Sequence, residues 1–254
     1  MKITFLGTGN SQGIPIIGSN NPVCLSKNKK DKRLRSSVLI EINYQHFLID
    51  CSPDFRYQML KNNFNKLDAV LITHEHYDHI GGIEDIRPFN FIEKKIKHIP
   101  IYGLNRVLKN IKKRFFYIFS SKKKNILKIS FNEINNYNNF FYILNIKIYP
   151  LLIWHECLSI LGFRIKNIAY ITDASIIPDK TIEKLKGLDI LILNILRKKS
   201  YKNFFSLSET LDIIRIIKPK KTYITHISNK FGFHEKIEKN LPKNVYLAYD
   251  GLVL

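Results

Sequence analysis

The stretch Thr73-His74-Glu75-His76-Tyr77-Asp78-His79 places three imidazoles and a carboxylate within seven residues. It follows the apolar residues 69–72, a short run rich in branched side chains that predicts a buried strand. Side chains two residues apart in an extended segment share a face, so His74 and His76 are expected to converge on one point. Asp78 and His79 come a turn later and are expected to face a second point nearby.

These ligand types indicate a metal site. Imidazole and carboxylate together suit zinc, manganese or iron better than calcium or a site built from thiolates. A polar turn with incidental histidines is the alternative, but the density of ligand types in one short loop favours a metal.

Three further apolar runs also end in a potential ligand: residues 146–154 before His155, residues 168–172 before Asp173, and residues 222–225 before His226. Side chains grouped at the ends of neighbouring strands are how a rigid sheet presents a site to a pocket. A workable partition gives His74, His76 and His155 to one metal and Asp78, His79 and His226 to another, with Asp173 bridging the two. Two such ions share a hydroxide and hold both the attacking and the departing oxygen of a displacement, which suits the hydrolysis of phosphate esters and also of amides or thioesters.

The pattern His74-x-His76-x-Asp78-His79 with the downstream ligands resembles the metallo-β-lactamase superfamily. Within it, the chain is similar to the cyclic phosphodiesterases of phosphonate catabolism, which open phosphoribosyl cyclic phosphates. The similarity runs almost end to end, through Gly7-Thr8-Gly9, residues 31–37, residues 50–56, the histidine-rich loop, Tyr170-Ile171-Thr172-Asp173, Thr225-His226-Ile227-Ser228 and Ala248-Tyr249-Asp250-Gly251. The resemblance implies an α/β fold, a four-layer αββα sandwich with two mixed sheets and a dinuclear site at their edge.

Length and composition set wider bounds. The chain has 254 residues, of which 45% are hydrophobic and 24% charged, as is typical of a globular protein with a substantial core. No linker rich in glycine, serine or proline is present, which predicts a single domain over residues 1–254. We find no apolar span of membrane length and no secretory leader, so no membrane association is expected. Cys24, Cys51 and Cys157 form no closely spaced pair, which fits a reducing cytoplasm.

The formal charge of +20 allows a nucleic-acid partner. The lysines are spread through nearly every connecting segment, however, and a compositional bias explains such scatter better than a binding face does. The charge also favours small anionic substrates through electrostatic steering.

Two departures from the resembled branch stand out. Its members commonly carry an early cysteine cluster that binds a structural zinc, completed by a histidine near the last strand. Here that stretch reads Gly18-Ser19-Asn20-Asn21-Pro22-Val23-Cys24, and the partner position is Asn229. We therefore predict no structural zinc at the N-terminal loop, with Cys24 left as a small packing residue.

The other departure removes the proton donor for the leaving oxygen. Relatives have a segment resembling His-Pro-Thr-His whose second histidine is thought to act as the acid, and that position aligns with Phe204. General acid catalysis is typically worth about 10²–10⁴-fold. Tyr201 or His234 replaces the acid, the leaving group departs unaided, or the enzyme is impaired; His234 is equally compatible with a surface position.

The sequence allows two roles for some of the other polar residues. Asp50 either orients a ligand histidine or caps its strand. Arg33 and Arg35 either meet a substrate phosphate or lie on a solvated face. Trp154 is expected to pack beneath the ligand that follows it. We also predict a first strand over residues 2–6, a hairpin over residues 38–49, a helix over residues 53–60, and a helix from residue 82 that Pro88 disturbs.

The sequence thus predicts a metal-dependent phosphodiesterase that acts on a small cyclic or ribose-linked phosphate with two zinc or manganese ions. An RNA-processing endonuclease of the same superfamily, of the kind that matures transfer-RNA 3′ ends, is the first alternative. A metal-binding protein with impaired turnover is the second. Relatives of the branch tend to be dimers, so a homodimer is possible by analogy.

Overall fold

The computed structural model describes residues 1–92, 96–120, 126–135, 137, 139–195 and 206–254. These residues form two compact units, each with its own sheet. The first unit comprises residues 1–7, 36–135 and 251–254, and the second comprises residues 8–35 and 136–250. The predicted single domain over the whole chain stays a prediction.

Thirteen strands are present in the described ranges. In chain order they are β1 Lys2–Gly7, β2 Ser37–Ile42, β3 Gln45–Ile49, β4 Ala69–Leu71, β5 Ile99–Gly103, β6 Ile129–Glu133, β7 Phe141–Ile143, β8 Ile146–His155, β9 Leu158–Ile165, β10 Ile168–Tyr170, β11 Ile190–Asn194, β12 Lys221–Thr225 and β13 Val245–Leu247.

Eight α-helices accompany the strands in the same ranges. They are α1 Pro22–Leu25, α2 Phe55–Lys61, α3 Tyr77–Ile80, α4 Asn105–Arg114, α5 Phe116–Ser120, α6 Asp179–Lys184, α7 Leu207–Ile217 and α8 His234–Glu238, with two 3-10 helices at Lys29–Asp31 and Ile83–Asn90. No helix in the described ranges has the length and apolar character needed to cross a bilayer.

The first unit contains a six-stranded mixed sheet of order β1-β2-β3-β4-β5-β6. Its first three strands pair antiparallel, and β3, β4, β5 and β6 run parallel. The three residues of β4 are fully buried, as expected for a short apolar strand inside a sheet. Because β4 and β5 are parallel, their carboxyl ends share one edge of the sheet, and the histidine-rich loop leaves from that edge.

The second unit contains a seven-stranded mixed sheet of order β13-β12-β11-β10-β9-β8-β7. Strands β10 to β13 run parallel, while β7, β8, β9 and β10 pair antiparallel. Leu151 and Ile153 of β8 pack with Leu185, Leu188 and Ile217 from the helical side of this unit. The parallel strands again bring their carboxyl ends, and the loops that follow them, to one edge.

The predicted α/β class with two mixed sheets is confirmed, as are the first strand, the hairpin and the helix near residues 53–60. The expectation that Pro88 disturbs the next helix is wrong. The segment Ile83–Asn90 is a 3-10 helix with Pro88 inside it. A 3-10 segment tolerates proline there because it does not depend on the continuous i to i−4 hydrogen bonds that proline breaks.

Candidate metal centre

The histidine-rich loop brings its four ligand-type side chains into close contact within the first unit. Nε2 of His74 lies 3.0 Å from Nδ1 of His76. Nε2 of His79 lies 3.1 Å from Oδ2 of Asp78. Ligand atoms of His74 and His79 are within 4.8 Å of one another, and the centroids of the two imidazole rings are 4.1 Å apart. The extended residues before α3 and the short helix itself therefore produce the convergence predicted from the spacing.

The donor set fits a divalent transition metal. Two ligand atoms about 2.0–2.1 Å from one tetrahedral ion are about 3.3 Å apart, close to the separations within this loop. All the donors are imidazole nitrogens or carboxylate oxygens, which are the ligands that zinc and manganese accept. His74, Asp78 and His79 are buried and His76 is exposed, so one side of the group is open to solvent.

Asp50 holds His79 and Thr73, the residue before His74, in place. One of its carboxylate oxygens accepts a hydrogen bond from Nδ1 of His79 at 2.7 Å, and the other accepts one from the backbone N–H of Thr73 at 2.9 Å. Burial raises the pKa of Asp50, while His79 and Thr73 oppose that rise. The interpretation of Asp50 as the residue that orients a ligand histidine is thus supported by a direct contact.

Thr73 is a candidate site residue that sequence reasoning did not single out. Its hydroxyl lies 2.9–3.0 Å from both carboxylate oxygens of Asp50 and 3.0 Å from Nδ1 of His74. A carboxylate only accepts, so the hydroxyl donates to Asp50 and accepts from Nδ1–H of His74. This leaves the lone pair of His74 on Nε2, the atom that faces His76. The only signal in the sequence is the position of Thr73 directly before the motif.

The second unit brings Asp173 and His226 together. Nε2 of His226 lies 3.2 Å from Oδ1 of Asp173, and the hydroxyl of Thr172 donates to Oδ2 of Asp173 at 2.8 Å. The two residues follow the parallel strands β10 and β12. Asp173 and His226 have φ values of 54° and 55°, and Asp50 in the first unit has 62°.

His155 is the last residue of β8, as predicted, and its side chain is buried. The expectation that Trp154 packs beneath it is wrong, because the Trp154 side chain is 37% exposed. Successive side chains of a strand point to opposite faces, so the neighbour of a buried residue at a strand end points away from it. The backbone N–H of Trp154 donates a hydrogen bond to the backbone oxygen of Ile176 at 3.0 Å.

His234 lies buried at the start of α8, so the surface alternative is wrong. Its Nδ1 is 3.0 Å from NH2 of Arg33, and its Nε2 is 3.2 Å from Oε2 of Glu238. A guanidinium only donates, so Nδ1 accepts and the proton of a neutral imidazole sits on Nε2. Burial lowers the pKa of His234, and the charge of Arg33 lowers it further. Its role as the acid stays a prediction.

Arg33 is buried as well, which contradicts the solvated-face interpretation for this residue. Its NH1 donates to Oγ1 of Thr8 at 2.7 Å and to the backbone oxygen of Ala248 at 2.6 Å. Burial lowers the pKa of Arg33 to about 10, although Asp250 and Asp31 oppose this. The guanidinium therefore links Thr8, at the start of the second unit, to Ala248, close to the end of that unit.

Cys24 is buried in a small apolar cluster. Cys24 packs with Ile14 and Val23, and its Sγ is 3.5 Å from the backbone nitrogen of Ile16. The predicted lack of a structural zinc stays a prediction. Tyr201 and Phe204 lie outside the described residues.

Comparison with known proteins places the chain in a family. Residues 45–227 match the family model described as the β-lactamase superfamily domain. The chain therefore belongs to the metallo-β-lactamase superfamily of hydrolases, as its motif indicates.

Among solved structures, it is similar to a new diphosphatase from the PhnP family, with 36% identity, a TM-score of 0.92 and coverage of 100% of this chain and 96% of that one. It shares the fold of human tRNase Z, short form, with 18% identity, a TM-score of 0.75 and coverage of 100% and 98%.

Two curated proteins show more limited relationships. An octanoyltransferase of Porphyromonas gingivalis is 35% identical over 260 residues, which covers 99% of this chain and 51% of that protein. A ribonuclease Z of Prochlorococcus marinus strain MIT 9215 is 30% identical over 143 residues, covering 54% of this chain and 39% of that protein. The chain thus spans about half or less of these relatives, and the activities of the whole proteins are not assigned to it.

Proposed function

We propose that the chain is a phosphoric diester hydrolase that uses two divalent metal ions, zinc or manganese, and acts on a small cyclic or ribose-linked phosphate. The observation that carries the proposal is the group of His74, His76, Asp78 and His79, with Asp50 bound to His79. The similarity to a diphosphatase supports it, because the name of that protein describes hydrolysis of a phosphate compound.

In this proposal His74, His76 and His155 would hold one ion, Asp78, His79 and His226 would hold the other, and Asp173 would be a ligand shared by both. When bound, such ions lower the pKa of a water molecule toward about 7 and offset the negative charge of a phosphate ester. The side chains around the ligands orient the imidazole rings. Asp50 keeps a proton on Nδ1 of His79, and Thr73 keeps one on Nδ1 of His74, so each ring turns Nε2 toward its neighbouring ligand.

The proton for the leaving oxygen has two candidate sources, Tyr201 and His234. His234 can give a proton from Nδ1 only if it first gains one there, against the charge of Arg33 at 3.0 Å. A neutral His234 has its proton on Nε2, which lies 3.2 Å from Oε2 of Glu238, so His234, Tyr201 and an unassisted departure of the leaving group all stay alternatives. A substrate whose leaving group is already a weak base then needs no acid.

The test is an assay of bis(p-nitrophenyl) phosphate beside a dialkyl phosphate, with Mn²⁺ or Zn²⁺ present. We expect hydrolysis of the first substrate, and a loss of at least about 10²-fold in Asp78→Asn. Asp212→Asn makes the same chemical change on the exposed face of α7 and is the matched control. No hydrolysis in either metal contradicts the proposal and favours a metal-binding protein without turnover.

A further variant tests the missing acid. Phe204→His restores the imidazole expected in the resembled branch, so turnover of the dialkyl phosphate should rise by up to about 10²-fold while turnover of the activated substrate changes little. An equal effect on the two substrates contradicts this alignment. Ribonuclease activity is the second candidate, favoured by the 30% identity to ribonuclease Z, and cleavage of a precursor transfer RNA tests it directly.

A further inference from the structure

Helix α4 in the first unit has a face of a single charge. It buries Val107, Leu108 and Ile111 and has no acidic residue in Asn105–Arg114. Four of its cationic side chains are exposed: Lys109, Lys112, Lys113 and Arg114. The helix dipole favours cations in the last turn, which explains Lys112, Lys113 and Arg114. It does not explain Lys109, which lies before that turn.

The next helix begins two residues after Arg114 and has exposed aromatic rings. The side chain of Phe116, the first residue of α5, is 67% exposed, and those of Tyr117 and Phe119 are partly exposed. The ring of Phe116 meets that of Tyr117 edge to face with centroids 6.0 Å apart, while the hydroxyl of Tyr117 donates to Glu84. Tyr117 is therefore held against the body of the unit, and Phe116 presents its ring to solvent.

The same face is attached to the histidine-rich loop. Arg106 of α4 makes a bidentate ion pair with Glu75, with Nε 2.6 Å from Oε1 and NH2 3.1 Å from Oε2. Glu75 lies between His74 and His76 in the chain. Since α4 follows β5 and the loop follows β4, the two segments leave the sheet at the same edge. A long anion bound along α4 thus lies beside the candidate ligands of this unit.

We propose that Lys109, Lys112, Lys113 and Phe116 form a binding surface for single-stranded nucleic acid. The cations contact successive phosphates, and the ring of Phe116 stacks on an unpaired base. Cations alone suit any polyanion, whereas the exposed ring among them suits a strand with bases available for stacking. The surface goes beyond the proposed reaction on a small phosphodiester and does not depend on it, because binding is measured without turnover.

The first experiment measures fluorescence anisotropy of labelled oligouridylate and oligothymidylate of about twelve nucleotides with the full chain. The triple variant Lys109→Glu, Lys112→Glu, Lys113→Glu should bind both strands at least about tenfold more weakly at moderate salt. The slope of log affinity against log salt should also fall in magnitude by about 2, since each lost phosphate contact removes about 0.7. A preference for one strand decides between RNA and DNA as the natural ligand.

The matched control reverses three exposed lysines of the second unit: Lys180→Glu, Lys239→Glu, Lys243→Glu. It makes the same change in net charge, so equal weakening in both triple variants means a diffuse field and overturns the proposal. Phe116→Ala should weaken binding about tenfold with an unchanged salt slope. No effect of Phe116→Ala, or capture by vesicles rich in anionic lipid with no strand binding, also overturns it. Far-ultraviolet circular dichroism verifies that each variant is folded.

Discussion

Asp50 gives the sharpest test at the scale of single residues. Its φ of 62° suits asparagine as well as aspartate, so Asp50→Asn leaves the backbone conformation unstrained. The new amide would place a donor against Nδ1–H of His79 and drive the ring to the tautomer that has its proton on Nε2. We expect metal affinity to fall about 10–100-fold with the fold retained.

Competition with a chelating dye, followed by elemental analysis of the protein, measures this affinity. Asp212→Asn on the surface should bind metal as the unmodified chain does. An Asp50→Asn variant with full metal affinity would mean that the carboxylate serves only as a strand cap, the other role that the sequence allows.

His234 gives a pH prediction at the same scale. Its pKa in the folded chain is lowered from 6.5, first by burial and then by Arg33, while Glu238 opposes this and Lys30 adds to it. The unfolded chain therefore takes up the proton first as the pH falls. The stabilisation from a neutral His234 is complete above about pH 6.5 and decreases below it.

Urea unfolding at about pH 7.5 and about pH 5.5 measures this effect. His234→Asn keeps an acceptor near Arg33 but does not titrate, so this variant should lose less stability on acidification than the unmodified chain does. His98→Asn changes an exposed histidine and should behave as the unmodified chain. Identical losses in all three proteins would show that His234 does not contribute to the pH dependence.

At the scale of elements, the backbone after the histidine-rich loop depends on one close approach. A Cβ on Gly82 would lie 2.1 Å from the backbone oxygen of Ser52 and 2.7 Å from Cβ of Phe55. Neither neighbour is the flexible end of a side chain, so Gly82→Ala must move the loop or the start of α2. We expect a loss of about 2 kcal/mol or more in the free energy of unfolding.

Gly103→Ala is the matched control in the same unit. A Cβ there meets its nearest neighbour, Cγ1 of Val107, at 3.5 Å, which is an ordinary contact. Chemical denaturation of the two variants should therefore separate them clearly. Equal stability of the two would show that the loop around Gly82 adapts without cost.

The elements also show what sequence patterns reveal. Four apolar runs followed by ligand-type residues predicted strands β4, β8, β10 and β12, because hydrophobic patterning and strand ends are local properties. The burial of Arg33 and His234 could not be predicted in this way. Each is held by partners about two hundred positions away in the chain, and their charge suggested solvent exposure. Trp154 was misplaced because adjacent side chains of a strand point to opposite faces, and the expectation put it on the same side as His155.

At the scale of the whole molecule, the motif and its flanking segments were sufficient to predict the superfamily and the two mixed sheets. The hydrogen-bond network that fixes the tautomers of His74 and His79 was beyond the sequence, since it depends on the loop conformation at Thr73 and Asp50. The homodimer and the cytoplasmic location stay predictions.

Metal removal is the prediction that belongs to the whole chain. An ion that binds only the folded state stabilises it by about 2.7 kcal/mol at one hundred times its dissociation constant. For a chain of this size each kcal/mol shifts the Tm by about 2–4 °C, so the loss of one ion should lower the Tm by about 5–10 °C and chelation of both proposed ions by about 10–20 °C. His226→Asn removes a proposed ligand while keeping a residue that accepts the φ of 55° at this position. Its Tm should respond to chelation about half as much as that of the unmodified chain, because His226 is a proposed ligand of one ion only. The exposed His98→Asn should show the full shift. Differential scanning calorimetry with Zn²⁺, with Mn²⁺ and with a chelator measures all three proteins. A full response in His226→Asn would remove that residue from the proposed ligand set, and no response in the unmodified chain would contradict metal binding by the folded protein.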